Sequence, residues 1–490
     1  MDARNPMKRE LQELARLSER LETASGVRQS ELARVARYTE SYLEAYETRQ
    51  AYRPGPEPVD SEQALAFTES PGRLDDLLET LDRNVISSGT NTSSGEFYAF
   101  IPSGSLYESA LADFIAAVTN RYAGVGFSAP GASRLERSVI RWLAGLMGYP
   151  ENAEGDLTSG GSIAALSAML TARESCGISS ENVADSVIYI TSHTHHCILK
   201  ALGIVGLGEC VIREVTCDDE FRMEPDALSG LIRQDQDSGL NPWLVIATAG
   251  TTDTGAVDPL DAIADIAAQY GLWFHVDAAY GGAFMLCEEG RQRLRGIERS
   301  DSLMFDPHKG FFLPFGTGAV LIRDGANLFD AFHYRGTYMR DVDQSAGPDM
   351  RSACDYSPEL TRPFRGLRFW LPMKIHGIAP FRAALREKLL LARYFHDQIS
   401  KLEGFVVGPQ PHLSIVTFRY VPESGDADAF NQAFFEQLRD DGDIFLTTTV
   451  VNGHLTLRMA ILAIGTHIDS VDFAVDVLRK KARQLKAAAD

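Results

Sequence analysis

Between residues 106 and 325 the chain alternates helical stretches with short apolar runs, and this alternation limits its possible folds more than any other feature. Apolar residues recur at helical spacing in LERSVIRWLAGLMG, GSIAALSAMLTARES and DPLDAIADIAAQYG. Runs typical of buried strands are SVIYIT, CVIREV, WLVIAT, LWFHVDAA, DSLMFD and GAVLIRD. The alternation predicts an α/β fold with a mainly parallel central sheet, helices on both faces, and a ligand site near the carboxyl ends of the strands.

The regions on either side have a different pattern. The N-terminal region is helical in pattern and is broken by two polar stretches, AYRPGPEPVD and ISSGTNTSSGEF. After residue 376 a long helical stretch leads into the strand LSIVTFRY, a further helix and a hairpin centred on Asn452 and Gly453. We predict a helical N-terminal segment over 1–105, a large α/β domain over 106–375 and a small C-terminal α/β domain over 376–490.

The charge and the cysteine pattern argue against several classes of protein. The 47 Lys and Arg residues against 67 Asp and Glu residues leave a net charge of −20, so a sequence-independent nucleic-acid binder is not expected. The six cysteines form no CxxC pair, which argues against a disulfide framework or a structural zinc site. The charged N-terminal stretch lacks the apolar segment that is typical of a signal peptide, and no run of about 18 apolar residues occurs in the sequence. We expect a cytoplasmic protein without a membrane or nucleic-acid partner.

Lys309 lies in FDPHKGFFLPFGTGAVLIRD, a stretch that otherwise has the composition of a buried segment. An isolated ammonium is very costly away from water, so a buried lysine must be paired or must lose its charge. A Schiff base between the lysine and a cofactor aldehyde accounts for this burial.

Two further features complete a set of three cofactor contacts. In TSGGSIAAL, small residues from Gly160 begin a helix whose N–H groups can hold a phosphate, although they also suit plain helix capping. Asp277 ends the apolar strand in HVDAAYGG, where a carboxylate is either a turn residue or the anion that keeps a ring nitrogen protonated. An aldehyde, a protonated pyridine and a phosphate together describe pyridoxal 5′-phosphate (PLP).

The order and spacing of several motifs resemble those of a known enzyme family. The motifs are TSGGS, HTHHCILKA, ATAGTTDTGAVDP, HVDAAYGG, DPHK, FRGLRFWLPMKIHG and LTLRMAILAIGTH. They resemble those of the group II PLP-dependent amino-acid decarboxylases, which include the aromatic-L-amino-acid and glutamate decarboxylases. The resemblance implies the PLP-dependent transferase fold, the aspartate aminotransferase-like fold type I. It also implies a homodimer in which the helical N-terminal segment wraps around the other subunit.

The resemblance implies a role for each residue that matches a family motif. Lys309 matches the Schiff-base lysine, and Asp277 matches the carboxylate that pairs with the pyridinium nitrogen. Further matches, to residues that contact the cofactor phosphate or line its ring, are Gly161, Ser162, His308, Thr248 and Ala279.

The imidazole expected to stack on the cofactor ring lies in SHTHHC. Aligning HHCILKA with the family pattern makes His195 the stacking residue, with His193 and His196 beside it. Three histidines in four positions also suit a zinc site. A strand-to-helix turn would point them apart, however, and only Cys197 accompanies them. We predict no metal and interpret His193 and His196 as solvated turn residues.

The residue that protonates the substrate carbon is expected in a loop. In the family a loop Tyr supplies or relays this proton, and counting from Phe332 aligns Tyr338, not Tyr334, with that residue. Family members that use oxygen to make aldehydes have Phe at this place, so Tyr338 favours simple decarboxylation. The polar stretch that follows contains Gly and Pro and is typical of a lid.

Two segments, NTSSGEFYAFIPSGS and YAGVGFSAPGASRLE, differ from the family pattern. The candidate substrate contacts in these segments are Phe100, Ile101, Ser103, Val125 and Phe127. Their mostly apolar character favours an aromatic or bulky apolar amino acid over glutamate, whose second carboxylate needs a cation.

Asp306 is a further departure from the family pattern, because many relatives have Asn at this position. Either its side chain turns away to cap the turn, or nearby donors offset its repulsion of a phosphate.

The predicted reaction is PLP-dependent decarboxylation of an L-amino acid to an amine and carbon dioxide, with Lys309, His195 and Tyr338 as catalytic residues. Alternatives within PLP enzymes are a glutamate- or diaminobutyrate-type decarboxylase, an oxygen-using aldehyde synthase and a carbon–carbon lyase. A cofactor-binding protein without activity is a further alternative. A nucleotide-binding protein that uses TSGGS alone lacks both a P-loop and a suitably placed GxGxxG motif.

Overall fold

The computed structural model describes residues 6–45, 50–55, 62–101, 103–334 and 351–489. Contacts between Cα atoms divide the chain into two compact units, Met1–Asn91 and Thr92–Asp490. The predicted domain boundaries at residues 105 and 375 stay predictions.

The first unit is mainly helical. Its helices are α1 (Pro6–Ser18), α2 (Ser25–Glu44) and α3 (Leu74–Leu81), and its strands β1 (Tyr52–Arg53) and β2 (Gly89–Thr90) pair antiparallel. No residue of α1 or α2 is buried. The exposed residues Met7, Leu11, Leu14 and Leu17 of α1 are three or four positions apart. Residues at this spacing share one helix face, so α1 presents an apolar stripe.

The second unit is built around a seven-stranded sheet. Its strands are β3 (Glu154–Thr158), β4 (Ser186–Ile190), β5 (Val211–Glu214), β6 (Asn241–Thr248), β7 (Trp273–Asp277), β8 (Ser302–Phe305) and β9 (Gly318–Ile322). The spatial order is β3-β9-β8-β7-β6-β4-β5. The pairs β8–β7, β7–β6, β6–β4 and β4–β5 are parallel, and β9 runs antiparallel to both of its neighbours.

The helices of this unit surround the large sheet and a smaller one. They are α4 (Tyr107–Thr119), α5 (Pro130–Leu146), α6 (Gly161–Ser175), α7 (His196–Ile204), α8 (Pro225–Asp237), α9 (Leu260–Tyr270), α10 (Glu288–Arg293), α11 (Pro307–Gly310), α12 (Gly325–Phe332), α13 (Gly366–His376), α14 (Ala379–Ile399), α15 (Ala427–Asp441) and α16 (Ile468–Ala489).

Both faces of the large sheet are covered. Ala165 and Met169 of α6 belong to the same buried cluster as Ile188 of β4 and Leu244 of β6. The neighbouring residues of these strands point to the opposite face, where helices α5, α8 and α9 contribute the apolar side chains. Every residue of β4, β7, β8 and β9 is buried, which explains their nearly continuous apolar sequences.

The smaller sheet lies in the C-terminal region. Its strands are β10 (Phe405–Val407), β11 (Ile415–Tyr420), β12 (Thr447–Val451) and β13 (His454–Ala460), all antiparallel in the order β10-β11-β13-β12. The predicted hairpin is present, since Val451 pairs with His454 across Asn452 and Gly453. Both turn residues have positive φ, 50° and 78°, which is why Asn and Gly occupy them.

The fold class is confirmed, and the six strands predicted in the large domain are all present. The edge strand β3 was not predicted. It has a single large apolar residue, Leu157, and contains the buried Asp156. Among the described helices, none has an apolar stretch long enough to cross a membrane.

Candidate active site

A cavity of about 420 Å³ opens at the carboxyl ends of the parallel strands. Its lining comes from the turns that follow β3, β4, β6, β7 and β8. The described residues that line it are Ser159, Gly160, Gly161, Ser162, Ile163, His195, Cys197, Gly250, Thr252, Asp277, Ala279, Tyr280, Met304, Asp306, His308 and Lys309. The expected position of the ligand site relative to the sheet is therefore observed.

Lys309 reaches the cavity from the short helix α11, directly after β8. Its Nζ lies 3.0 Å from Oδ2 of Asp306. Burial lowers the pKa of Lys309, but the carboxylates of Asp306 and Asp277 outweigh burial and raise it above its usual value. The structure thus gives this partly buried lysine, whose side chain is 21% exposed, two carboxylate partners, and places its amine where it can meet a ligand.

Asp277 lies at the end of the central strand β7 and is 5% exposed. Its Oδ1 accepts a hydrogen bond of 3.0 Å from the Ala279 N–H. Burial raises its pKa to about 6, although the Lys309 ammonium opposes this. A cationic ring nitrogen brought into the cavity would find in Asp277 a fixed, desolvated anion.

Thr248 ends the neighbouring strand β6, directly opposite Asp277 in register. Its N–H donates to the buried Asp258 carboxylate at 2.7 Å, which fixes the end of the strand. Its Oγ1 is buried and has no hydrogen-bond partner among the described residues. Thr248 is not among the residues that line the cavity.

His195 stands at the start of α7 and lines the cavity. Its Nδ1 accepts the Cys197 N–H at 3.3 Å, so a neutral ring carries its proton on Nε2. Burial, together with His196 and Lys309, lowers its pKa to about 4. This lowered pKa favours a neutral ring at physiological pH, and a flat imidazole can stack on a heterocycle.

The start of α6 also lines the cavity and holds the TSGGS motif. A Cβ placed on Gly161 would lie 2.9 Å from Oδ2 of Asp306, so only glycine fits there without displacement. The ring of His308 also lines this cavity, and its Nδ1 donates to the Thr317 carbonyl at 2.7 Å. The first N–H groups of this helix suit an anion. His308 can donate from Nε2 only when its ring is protonated, because its Nδ1–H already bonds to Thr317.

Asp306 does not turn away from the cavity. It is 3% exposed and makes no capping hydrogen bond to the helix that it precedes. Its side chain instead pairs with Lys309. Of the two alternatives raised by the sequence, the capping one is thus wrong.

His193 is not a solvated turn residue, and that interpretation is wrong. Its Nδ1 lies 2.6 Å from Oδ2 of Asp253, and its ring contacts the edge of Phe221. The hydrogen bond that His193 donates to the Asp253 carboxylate raises the pKa of His193. His196 is exposed, as expected. Within the described part of the chain, no three or more His, Cys, Asp or Glu side chains are arranged to hold a metal ion.

The five candidate substrate contacts lie outside the lining of this cavity. Those that are exposed are Phe100 and Phe127, at 59% and 48%, and those that are buried are Ile101, Ser103 and Val125. Tyr338 lies outside the described residues. The substrate roles of all these residues stay predictions.

Several lining residues were not proposed as ligands from the sequence. Cys197, Thr252, Tyr280 and Met304 each lie one to four residues from a predicted ligand or strand end. Their proximity along the chain was an available signal. Nothing in their residue types, however, distinguishes a cavity lining from ordinary core packing.

The residues present fit PLP. A carboxylate for a ring nitrogen, a neutral imidazole, a lysine amine and a helix N-terminus line one cavity, as separate sequence motifs predicted. Oδ1 of Asp306 is buried without a hydrogen-bond partner among the described residues, so the cavity holds an unused polar atom for a ligand. Fold and site together define a PLP-dependent enzyme of fold type I.

Comparison with known proteins narrows this class. Residues 56–421 match the pyridoxal-dependent decarboxylase conserved domain. The chain is 34% identical over 388 residues to the aromatic-L-amino-acid decarboxylase of Bacillus atrophaeus, covering 78% of this chain and 80% of that protein. It is 29% identical over 434 residues to the phenylacetaldehyde synthase of Arabidopsis thaliana, covering 85% of this chain and 88% of that protein.

A solved structure of a PLP-containing protein has the same fold as this chain. The crystal structure of Oryza sativa TDC with PLP and tryptamine matches with a TM-score of 0.87 and 26% identity, covering 94% of this chain and 99% of that chain. The chain belongs to the pyridoxal-dependent decarboxylase family. It is a PLP-dependent amino-acid decarboxylase, as its motifs predicted.

Proposed function

We propose that the protein converts an aromatic L-amino acid to the corresponding amine and carbon dioxide. The observation that carries this proposal is that Lys309, Asp277 and His195 line one cavity in a member of this family. Bound PLP supplies an electron sink for the pair of electrons that the departing carbon dioxide leaves behind.

Asp277 would hold the cofactor's ring nitrogen in its protonated form. Its Oδ1 is already engaged by the Ala279 N–H, which fixes the orientation of the carboxylate. Lys309 would carry the cofactor, and Gly161, Ser162 and His308 would hold its phosphate. Thr248 and Ala279 would border the ring.

His195 would stack on one face of the ring and help to orient the substrate carboxylate. The hydrogen bond from the Cys197 N–H fixes the position of the imidazole, and the ring is neutral because burial lowers its pKa to about 4. A neutral Nε2–H can donate to a carboxylate without trapping it as an ion pair.

Tyr338 would then deliver a proton to the substrate carbon. The support for this role is its aligned place in the sequence and the hydroxyl that Phe lacks. The similarity to a phenylacetaldehyde synthase favours one alternative, in which oxygen is consumed and aldehyde, ammonia and peroxide are formed. Tyr at position 338 favours the amine.

The charges around the cavity support an aromatic substrate. Lys309 is the one Lys or Arg among the described lining residues, and it already faces Asp306 and Asp277. Arg458 is buried, and its three nitrogens donate to the Phe100 carbonyl, to Thr447 Oγ1 and to the Asp253 carbonyl. A second substrate carboxylate would therefore lack a dedicated cation among the described residues of one chain.

We also propose that the protein is a homodimer located in the cytoplasm. The apolar stripe of α1 supports self-association, because exposed apolar stripes mark surfaces that pack against a partner. Cys197, Cys210 and Cys287 are buried thiols, which suits a reducing compartment.

The test combines an absorbance spectrum with product analysis. PLP bound to the wild-type protein should give an absorption band that Lys309→Ala lacks. A panel of L-amino acids should then release amine and carbon dioxide in equal amounts, fastest with aromatic substrates. Aldehyde with peroxide would support the oxygen-using alternative, and a bound cofactor without carbon dioxide release would contradict decarboxylation of the substrates in the panel.

A further inference from the structure

Asp306 is a buried carboxylate in the part of the cavity where an anion is expected. Its Oδ2 lies 3.0 Å from Lys309 Nζ and 3.8 Å from His308 Nε2. Its Oδ1 is buried and receives no hydrogen bond from the described residues. One oxygen of Asp306 is thus paired, while the other has unused hydrogen-bonding capacity.

The carboxylate of Asp306 also lies against the first turn of α6. A Cβ on Gly161 would be 2.9 Å from one Asp306 oxygen and 3.3 Å from the other. The N–H groups of this turn are the proposed seat of the cofactor phosphate. A phosphate held there would therefore lie beside the Asp306 carboxylate.

The charges that face Asp306 leave little to offset a phosphate dianion. Lys309 and His308 come from its own connection, Asp277 from β7, and His195 and Cys197 from the turn that begins α7. Burial lowers the pKa of both His195 and His308 and raises that of Cys197 to about 12, which favours the neutral forms. Two carboxylates thus already face one ammonium before a phosphate enters.

We propose that the cofactor phosphate binds beside Asp306 together with a proton held by the Asp306 carboxyl, so that cofactor binding weakens as the pH rises. Protonation removes the repulsion between two neighbouring anions. It also turns the unpartnered oxygen into an O–H donor for a phosphate oxygen. This inference rests on the proposed position of the phosphate.

The test uses pyridoxamine 5′-phosphate and pyridoxamine, because neither can form a bond with Lys309. Their dissociation constants are measured by titration calorimetry with the full-length protein freed of cofactor, between pH 7 and pH 8.5. Buffers of different ionisation enthalpy report the protons taken up. The variants are Asp306→Asn, which keeps the shape of the side chain, and Ser162→Ala, which removes a proposed phosphate contact and leaves the carboxylate.

We expect the wild-type protein to take up about one proton more with pyridoxamine 5′-phosphate than with pyridoxamine. The dissociation constant for pyridoxamine 5′-phosphate should depend more steeply on pH in the wild-type protein than in Asp306→Asn. For each pH unit, the increase should be about tenfold larger in the wild-type protein. Ser162→Ala should bind more weakly but keep the wild-type dependence on pH. If Asp306→Asn does not fold, the comparison of the two ligands on the wild-type protein decides alone.

Two outcomes distinguish a failure of the proposed protonation of Asp306 from a failure of the proposed phosphate position. If the phosphate improves binding but the proton uptake is the same for both ligands, the role of Asp306 is contradicted and the phosphate position stands. If both ligands bind the wild-type protein equally, and Ser162→Ala changes neither, the proposed phosphate position itself is wrong, and the inference falls with it.

Discussion

At the scale of single residues, Asp277 shows how a functional charge weakens the protein that carries it. It is almost fully buried at a strand end, and burial raises its pKa to about 6. The unfolded chain gives up this proton near pH 4. Between these pH values the folded protein binds more protons than the unfolded one, so the contribution of Asp277 to stability falls as the pH rises.

Asp277→Asn should therefore stabilise the cofactor-free protein at pH 7.5, by an amount of the order of 2 kcal/mol. Lys309 keeps a counter-ion in this variant, because Asp306 remains 3.0 Å away. Urea unfolding of both proteins measures the difference, which should shrink towards zero near pH 4. An equal difference at both pH values would contradict a charge-based cause. The variant should at the same time lose most of its decarboxylase activity.

The sequence allowed the prediction of the residues with distinctive chemistry in this cavity, namely a buried lysine, a carboxylate at a strand end and glycines at a helix start. It could not supply the partners of those residues. The pairing of Lys309 with Asp306 follows from a short helix that brings the two side chains onto one side. The contact of His193 with Asp253 joins positions 60 residues apart, which no local pattern reports.

At the scale of elements, the edge strand β3 shows where a periodic pattern fails. Asp156 lies in the middle of this strand and is buried. Arg362, fully buried as well, forms ion pairs with Asp156 and Glu136 and donates to the Leu157 carbonyl at 2.8 Å. A polar residue is therefore acceptable inside the sheet because a distant arginine satisfies it.

Arg362→Met should destabilise the protein strongly, by about 3 to 5 kcal/mol, because it removes the cation that forms ion pairs with two buried carboxylates. Urea unfolding at neutral pH is the measurement. Arg479→Met provides the matched control, since its pair with Asp476 is exposed, and it should change stability little. A similar loss in the free energy of unfolding for both variants would show that the buried ion pairs of Arg362 stabilise the protein no more than an exposed pair.

At the scale of the whole molecule, the helical N-terminal unit has an apolar surface that a monomer would leave in water. Leu14 of α1 is 55% exposed and lies on the stripe of Met7, Leu11 and Leu17. The proposed homodimer accounts for this surface by covering it with a second copy of the chain.

Leu14→Glu should therefore shift the protein towards monomer and raise the dimer dissociation constant at least about tenfold, because it places a charge in an apolar contact. Sedimentation equilibrium over a range of concentrations measures this shift. Gln12→Glu introduces the same side chain on the opposite side of α1 and should leave the association unchanged. A dimer equally stable in both variants would exclude the stripe as the contact.

The order of the strands also bears on how the chain folds. Strands β6, β7 and β8 are consecutive in the chain and adjacent in the sheet, so Asp277 and Lys309 can meet through short-range pairing. Strand β3 pairs instead with β9, which is far from it in the sequence, and such contacts form slowly.

Since α6 follows β3, we expect the proposed phosphate site at the start of α6 to be completed last during refolding. Capture of the phosphorylated cofactor, followed by stopped-flow absorbance, should then lag behind the recovery of helical circular dichroism, and simultaneous recovery would rule out this order.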